Sequence, residues 1–471
     1  MITEKFRSMF REYDIRGRIS PEELNPAACE LIVRGFATLL ARRGIRRAVV
    51  GYDNRKDSPA FAEAAGKALV ESGVETLDIG LALSPVTYFA QYHLESEGAV
   101  MVTASHNPDG WLGFKLAHGY SKTLGPEEIR ELLSIIEAGR FEKGQGSRRP
   151  VRVREAYLES ILRRVRLNPG RPAMRVAIDC GNGGAGVFAY ELFQRLGCLT
   201  FQLYCDPDDT YPHYFPNPSD VRARKRLAEI VTHPFIAAEI GLAFDGDGDR
   251  IGVLDERGEN VWSDKVLLLL ARAVLARRKS AKVVFDVKCS QALPDEISRL
   301  GGEPIMWKTG HSYVKAKMHE VKAELAGERS GHIFIAEDYY GFDDALFAGA
   351  KLLEYMSYQG GSFSTILATL PQFVTSPEIK APCADDVKYQ VVNRLVEEFK
   401  AEYGDRVNTI NGARVSFDDG WGLVRASSNL PELVLIFEAR TPDRMRAIGR
   451  LFREKLARHP EVSPHWENDL E

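Results

Sequence analysis

Apolar residues fall along this chain in short β-prone runs, separated by longer stretches in which they recur at helical spacing. The runs Ala48 to Gly51, Thr76 to Ile79 and Ala99 to Val102 predict buried strands. Between them, a helix runs from about Asn25 to Arg43, with Pro26 in its first turn and Gly44 beyond its end. Ser58 and Pro59 open the next helix, which stops at Gly73, and another spans about Pro126 to Ala138. Gly144 to Pro150 reads as a linker. The same grammar returns in strands Arg175 to Asp179, Gly241 to Phe244, Ile251 to Leu254 and Lys282 to Asp286, with helices after Leu293 and over Leu346 to Ser357. Near Thr375 the character changes. A helix over about Asp386 to Glu402 is followed by strands near Ala413 to Phe417 and Val434 to Glu438, with a loop at Arg425 to Pro431 and a last helix opened by Thr441 and Pro442.

This pattern predicts an α/β protein: three α/β sandwich units, then one of α+β character. A length of 471 residues suits about three or four domains at roughly 150 residues each. We divide the chain at 1–150, 151–256, 257–371 and 372–471. With 44% apolar and 27% charged residues the chain has material for proper cores. A net charge of −4 argues against nucleic acid or an anionic membrane as partner. The basic run around Arg148 and Arg149 is too diluted for a binding tail and reads as a solvated face. The 6 cysteines include no CxxC pair, which fits a reducing, cytoplasmic setting. The N-terminus has no apolar signal core, and the longest apolar run, Val266 to Leu270, is too short for a bilayer.

Chemistry concentrates in loops. Ala99 to Val102 runs into Thr103-Ala-Ser-His-Asn-Pro108, which would hold Ser105 exposed and rigid at a strand edge. That suits a nucleophile or a phosphate carrier, although such hydroxyls also satisfy turns. Asp245-Gly-Asp-Gly-Asp-Arg250 alternates carboxylates with glycines, an all-oxygen cation site of the Mg²⁺ or Ca²⁺ kind. It is not an EF-hand, because Arg250 stands where Gly is needed and strands flank it. Arg250 beside a metal offers a contact to phosphate oxygen. Gly181-Asn-Gly-Gly-Ala-Gly186, with Asp206 after the next strand, matches a dinucleotide fingerprint, and equally a Gly-rich structural turn. Lys308-Thr-Gly-His-Ser312 and Gly327-Glu-Arg-Ser-Gly-His332 each place a His in a Gly-containing loop. If the second loop is extended, Glu328, Ser330 and His332 face one way, suiting a polyol ligand and a general base. Arg425, Ser427, Ser428 and Asn429 form a short loop of phosphate-type donors.

Together with Tyr13-Asp-Ile-Arg-Gly17, these segments resemble the α-D-phosphohexomutase family in composition and order, over essentially the full chain. The resemblance implies four domains around a central cleft, three with mixed sheets and the last like the TATA-binding protein. It implies phosphate on Ser105 and Mg²⁺ held by Asp245, Asp247, Asp249 and an oxygen of the Ser105 phosphate. Phosphoryl transfer would interconvert 6-phospho and 1-phospho forms of mannose and glucose through a hexose 1,6-bisphosphate, with glucose 1,6-bisphosphate or mannose 1,6-bisphosphate as activator. Arg16 and Lys115 resemble positions near the phosphoserine. His332 resembles the proton-transfer group, which leaves His106 as a positioning residue. Glu328 and Ser330 match the sugar-hydroxyl loop. Tyr13, Lys288 and His311 resemble cleft contacts, and Arg425, Ser427, Ser428 and Asn429 the grip on the non-transferring phosphate. The resemblance also implies a monomer whose partners are small hexose phosphates, with no nucleic acid and no membrane. In that setting the Gly181 motif is a structural turn.

Two departures stand out. The anion loop of the family usually reads Arg-x-Ser-Asn-Thr, and here it is Arg425-Ala-Ser-Ser-Asn429. Arg329 puts a bulky charge in the sugar loop, where it is expected to affect access or preference. Phosphoglucosamine mutase is the near alternative, but its anion loop usually has Gly after the Ser. A non-catalytic phosphosugar-binding protein and an NAD-dependent oxidoreductase are the alternatives from other classes.

Overall fold

A computed structural model describes residues 2–428 and 430–468. Four sheets appear in chain order. In the first, strands Gly98–Val102, Arg47–Tyr52, Glu75–Leu81 and Ser147–Pro150 run parallel, and Trp111–His118 and Ile15–Arg18 close one edge antiparallel. The second joins Leu199–Leu203, Arg175–Asp179 and Ile240–Phe244 in parallel and adds Ile251–Asp255 antiparallel. The third repeats that plan with Glu303–Trp307, Lys282–Asp286, Leu325–Gly327 and Ile333–Ile335. The fourth is antiparallel throughout, with Glu432–Ala439 and Gly420–Ala426 at its centre. Three mixed α/β units and an α+β unit are thus present, as the pattern predicts.

Period-two alternation sends the faces of the first sheet into different cores. Val50, Val100 and Val102 pack under the helix Pro26–Arg42, while Val49, Leu77 and Ala99 join a core that continues through the second and third units. Tyr88, Phe89, Tyr157 and Phe342 carry that continuity, with ring centroids 5.7 Å apart for Phe89–Tyr157 and for Tyr88–Phe342. The fourth unit works the same way. Val424 and Ala426 face its own helices, Lys388–Tyr403 and Pro442–Leu456, while Trp421 and Leu423 pack with Val287 of the third unit. Arg414 lies over Trp421 at 3.8 Å and donates to the carbonyls of Val287 and Cys289.

Several expectations are corrected. Ser147–Pro150 is an edge strand of the first sheet, not a linker, and Arg148 pairs with Glu63 and Asp78. The second sheet extends to Asn260–Val261, past the expected division at 256. The apolar run Val266 to Leu270 lies in a helix, Ser263–Arg277, buried on nearly all sides, which is why it shows no amphipathic period. Arg425 and Ala426 end a strand instead of opening a loop. Ile15–Arg18 and Trp111–His118 are strands that the polar residues Arg16, Arg18 and Lys115 conceal.

The Gly181 motif closes on its own chain. The Asn182 side-chain amide donates to the Asp206 carbonyl at 2.8 Å, and Gly181 and Gly183 abut Pro216. A Cβ on Gly186 would stand 1.8 Å from the Cys205 carbonyl oxygen, so only glycine fits there. Gly186→Ala should therefore destabilise the protein by about 2–4 kcal/mol, read as a lowered Tm in calorimetry, and titration with NAD should register no binding. An unchanged Tm would show that the turn has slack.

Candidate active site

Ser105 sits just past the strand Gly98–Val102 with φ at +49°, a left-handed conformation rare outside glycine. What over-determines it is Arg55, whose guanidinium donates to the carbonyls of Ser105 at 2.8 Å, Asn107 at 2.6 Å and Pro108 at 3.2 Å. Arg16 reaches the same loop, donating to Asn107 Oδ1 at 2.9 Å and to the Ala104 carbonyl, while Asp14 holds its Nε at 2.9 Å. The loop turns Ser105 Oγ onto Asp245 Oδ2 at 2.9 Å, with His106 Nδ1 3.0 Å away on its other side. Ser105 is only 2% exposed. Burial, then Arg250 and Arg16, hold the His106 pKa well below its ordinary value, so this ring is neutral beside the serine.

Asp245, Asp247 and Asp249 are fully buried, and their ligand atoms lie within 4.8 Å of one another. Gly246 makes that approach possible, since a Cβ there would meet the Ser105 carbonyl oxygen at 2.7 Å. Lys115 Nζ donates to Asp247 Oδ2 at 2.6 Å and to Asp249. Ser84, at the head of its helix, donates to the same Asp247 oxygen at 2.6 Å. Burial and the two neighbouring carboxylates push Asp245 well up. Burial acts likewise on Asp247, but the Lys115 ammonium and Ser84 outweigh it and hold that carboxyl below the usual range. Asp247 Oδ1 and Asp249 Oδ1 have no hydrogen-bond partner. Orphaned buried carboxylate oxygens on one cluster fit a hard cation with oxygen ligands.

A backbone bridge between Arg250 and His332, with Ile251 N–H donating to the Gly331 carbonyl at 3.1 Å, joins the acidic loop to the Gly327 to His332 loop. Arg250 Nε donates to His332 Nε2 at 2.9 Å. His311 stacks on His332 with centroids 5.3 Å apart, and Tyr13 meets the His311 ring edge-on at 5.1 Å. The Gly327 to His332 loop is a turn, not extended: Gly331 N–H donates to the Glu328 carbonyl at 3.1 Å. The alternation argument is thus corrected, though the turn still leaves Ser330 Oγ 3.4 Å from Glu328 Oε2. The Glu328 carboxylate accepts from Gly310 N–H at 2.5 Å, tying the two His-bearing loops together. Arg329 does not reach into this space. Its side chain is buried, paired with Asp264 at 3.2 Å and stacked on Trp262 at 4.4 Å, so the expected effect on access is overturned.

Arg425 Nε donates to Asn411 Oδ1 at 2.9 Å, and the same oxygen accepts from Thr309 N–H at 3.2 Å. The anion loop is thereby pinned to the Lys308 to Ser312 loop. Ser428 Oγ lies 3.4 Å from the Arg425 guanidinium, and Ser427 Oγ accepts from Leu430 N–H at 3.2 Å. Asn429 lies outside the described residues. Lys388, buried, donates to the carbonyls of Ser427 at 2.5 Å and Leu430 at 2.9 Å. Lys288 is ion-paired to Glu378 at 2.6 Å across the boundary of the third and fourth units. Arg55, Ser84, Lys388 and Asn411 were not legible as site residues. Only Ser84-Pro85, a helix opener, carries a local signal.

A serine seated on a buried acidic cluster, with Lys115, Arg16 and Arg250 around it, suits metal-dependent phosphoryl transfer on a four-domain α/β scaffold. Models of the phosphoglucomutase/phosphomannomutase domains match the chain throughout: the α/β/α domains I, II and III at residues 7–143, 155–258 and 262–373, and the C-terminal domain at 378–455. The chain is 38% identical over 457 residues to the phosphomannomutase/phosphoglucomutase of Pseudomonas putida, covering 97% of each. It is 39% identical over 459 residues to a phosphoglucomutase of Neisseria meningitidis, covering 97% of this chain and 98% of that one. A crystal structure of a phosphoglucomutase/phosphomannomutase family protein from Burkholderia thailandensis superposes with a TM-score of 0.90 at 37% identity, covering 98% and 99%. The chain belongs to the phosphoglucomutase/phosphomannomutase family. It is an enzyme of that family's reaction, phosphoryl transfer between positions of a hexose phosphate.

Two outcomes follow from these distances. Asp247→Ala should weaken divalent-cation binding at least tenfold in calorimetric titration, and an unchanged affinity would remove the acidic cluster as the metal site. Lys288 and the other cations around Glu378 outweigh its burial and hold its carboxyl at about 2. A lowered acid pKa contributes stability above the unfolded value, near 4.3, and loses it as pH falls toward 2. Acid unfolding should therefore steepen between about pH 4 and 2, and Glu378→Gln should flatten that limb.

Proposed function

We propose that Ser105 carries the phosphoryl group and exchanges it with the free hydroxyl of a hexose monophosphate. The contact of Ser105 Oγ with Asp245 at 2.9 Å carries this reading, because it sets the serine oxygen directly on the cation cluster. Uncatalysed hydrolysis of phosphate monoesters is among the slowest reactions known, so positioning and charge neutralisation must supply nearly all the acceleration. Asp245, Asp247 and Asp249, with an oxygen of the Ser105 phosphate, would hold Mg²⁺, which their all-oxygen donor set suits. When bound, it neutralises charge on the transferring phosphoryl oxygens.

The remaining work falls to the chain's own residues. In the forward step the Oγ–P bond breaks, a P–O bond to the sugar hydroxyl forms, and the hydroxyl proton passes to His332 Nε2. The Ser105 oxygen leaves as an alkoxide that Lys115 and Arg16 stabilise. In the return step it attacks the other phosphoryl group of the bisphosphate, the sugar O–P bond breaks, and the released sugar oxygen takes the proton back from His332, which restores phosphoserine. Arg250 offers its Nη groups to phosphate oxygen, while Glu328 and Ser330 hold sugar hydroxyls. Tyr13, His311 and Lys288 bound the cleft. Arg425, Ser427, Ser428 and Asn429 grip the phosphate that is not in transit, with Lys388 holding the Ser427 carbonyl. Each turn swaps the two ends of the sugar between these sites.

Glucose and mannose phosphates are the substrates we favour, since the similar proteins of P. putida and N. meningitidis carry those names. Glucose 1,6-bisphosphate or mannose 1,6-bisphosphate would rephosphorylate a serine lost to hydrolysis. One chain supplies the whole site, in keeping with a monomer. Its cysteines are free and buried, in keeping with the cytoplasm, and no helix among the described residues is long and apolar enough to cross a membrane.

Incubation with mannose 1-phosphate, Mg²⁺ and a trace of glucose 1,6-bisphosphate should yield mannose 6-phosphate; no turnover of either hexose phosphate would overturn the assignment. Ser105→Ala should keep its Tm and lose nearly all kcat, and intact mass should show one phosphate on the wild type alone. Arg425→Ala should raise KM about 10- to 100-fold with a smaller change in kcat.

A further inference from the structure

Behind the catalytic cleft, several buried polar atoms without hydrogen-bond partners occur together. They are Tyr88 Oη, Asp249 Oδ1, His311 Nδ1, Lys315 Nζ, His332 Nδ1 and both carboxylate oxygens of Asp343. Asp343 is their centre. Its Oδ2 lies 3.1 Å from His332 Nδ1 and 3.5 Å from His311 Nδ1, and its Oδ1 lies 3.6 Å from Lys315 Nζ. The side chain is fully buried. Its neighbour Asp344 has ordinary structural duties: it caps the helix Ala345–Ser357 through Phe347 N–H at 3.0 Å and accepts from Tyr157 and Tyr339 at 2.9 Å. Asp343 has none. A buried carboxylate costs several kcal/mol of desolvation, so one that caps nothing and closes no turn has another reason to be there.

We propose that Asp343 is the positioning residue of His332, and that Lys315 is the counter-ion that keeps it an anion. This rests on the reading of His332 as the proton-transfer group. The tautomer argument is direct. Arg250 Nε–H donates to His332 Nε2, so in the neutral ring Nε2 carries no hydrogen and Nδ1 does. That Nδ1–H faces Asp343. When phosphate draws Arg250 away, Nε2 is bare, correctly aimed and ready to accept the sugar proton. The positive ring that results then stands against a carboxylate. The approach of Nδ1 to Asp343 is within hydrogen-bond reach but off line, as catalytic contacts often are before substrate binds. Burial alone would raise the Asp343 carboxyl, but Lys315 and the two imidazoles hold it well below its usual range. Lys315 is itself buried and lies 4.1 Å over the Tyr88 ring, which confines its ammonium to this corner.

A double-mutant cycle on the full enzyme, loaded with Mg²⁺ and assayed with glucose 1-phosphate, tests this. Asp343→Asn should lower kcat about 10- to 100-fold while KM shifts less than about threefold. Combined with His332→Ala, it should lower kcat no further than His332→Ala alone, because a residue that acts through His332 has nothing left to orient. Lys315→Met, which leaves Asp343 in place, should lower kcat about tenfold and lose its effect in the same background, so the test survives if Asp343→Asn fails to fold. Wild-type kcat in Asp343→Asn, or losses that multiply in the double variant, would overturn the inference while leaving His332 its role. Wild-type kcat in His332→Ala would instead overturn the reading of His332, and this inference with it.

Discussion

Three carboxylates and one ammonium, buried together, set the terms for the rest of this molecule. Asp245, Asp247 and Asp249 come within 4.8 Å of each other with no exposure to water, and like charges at that distance repel by about 3 kcal/mol per pair at an effective dielectric constant of about 20. Lys115 pairs with two of them and leaves a net negative charge. A fold that keeps such a cluster needs a cation there. It also needs scaffolding on every side, because neither the carboxylates nor the lysine would stay in place unaided.

That scaffolding comes from different domains. Lys115 and Ser84 belong to the first unit, the aspartates to the second, and His332, bridged through backbone to Arg250, to the third. The continuous core through Phe89, Tyr157 and Phe342 locks these three into one body, so the metal cluster and the serine are held by packing over a wide area. Ser105 is held in a left-handed backbone by Arg55 and Arg16, whose donors take the carbonyls of Ala104, Ser105, Asn107 and Pro108. A strained residue persists only where its surroundings over-determine it, and here they do.

The fourth unit is attached by other means. Its small apolar contact, Trp421 and Leu423 against Val287, is supplemented by charged and polar links: Arg414 to backbone carbonyls, Lys288 to Glu378, and Asn411 between Thr309 and Arg425. Polar interfaces between domains resemble transient ones more than they resemble cores. The arrangement suits the role proposed for this unit, holding one phosphate while the other end of the sugar is at the serine. Asn411 is the point where Arg425 and the Lys308 to Ser312 loop share a single acceptor.

The loops that hold the chemistry were legible in the chain because each is a local code. Alternating Asp and Gly, a small polar run closed by Pro, and Arg followed by hydroxyls announce cation, serine and anion sites without reference to distant residues. Unit count and fold class were legible for the same reason: periods of apolar residues reflect only which face is buried. What only the tertiary structure decided was which of these loops meet, and on whose support. Arg55 and Lys388 reach partners far away in sequence, and nothing local distinguishes them from surface charges; Ser84 shows only as a helix opener, with no sign of its contact to Asp247. Arg329, a charge expected to matter because of its place in the loop, turns to Asp264 and Trp262, because an interface supplied by other elements satisfies its charge. Local chemistry writes the functional groups into the chain, but a buried charge takes its direction from the neighbours that pair it, and those are brought by the fold.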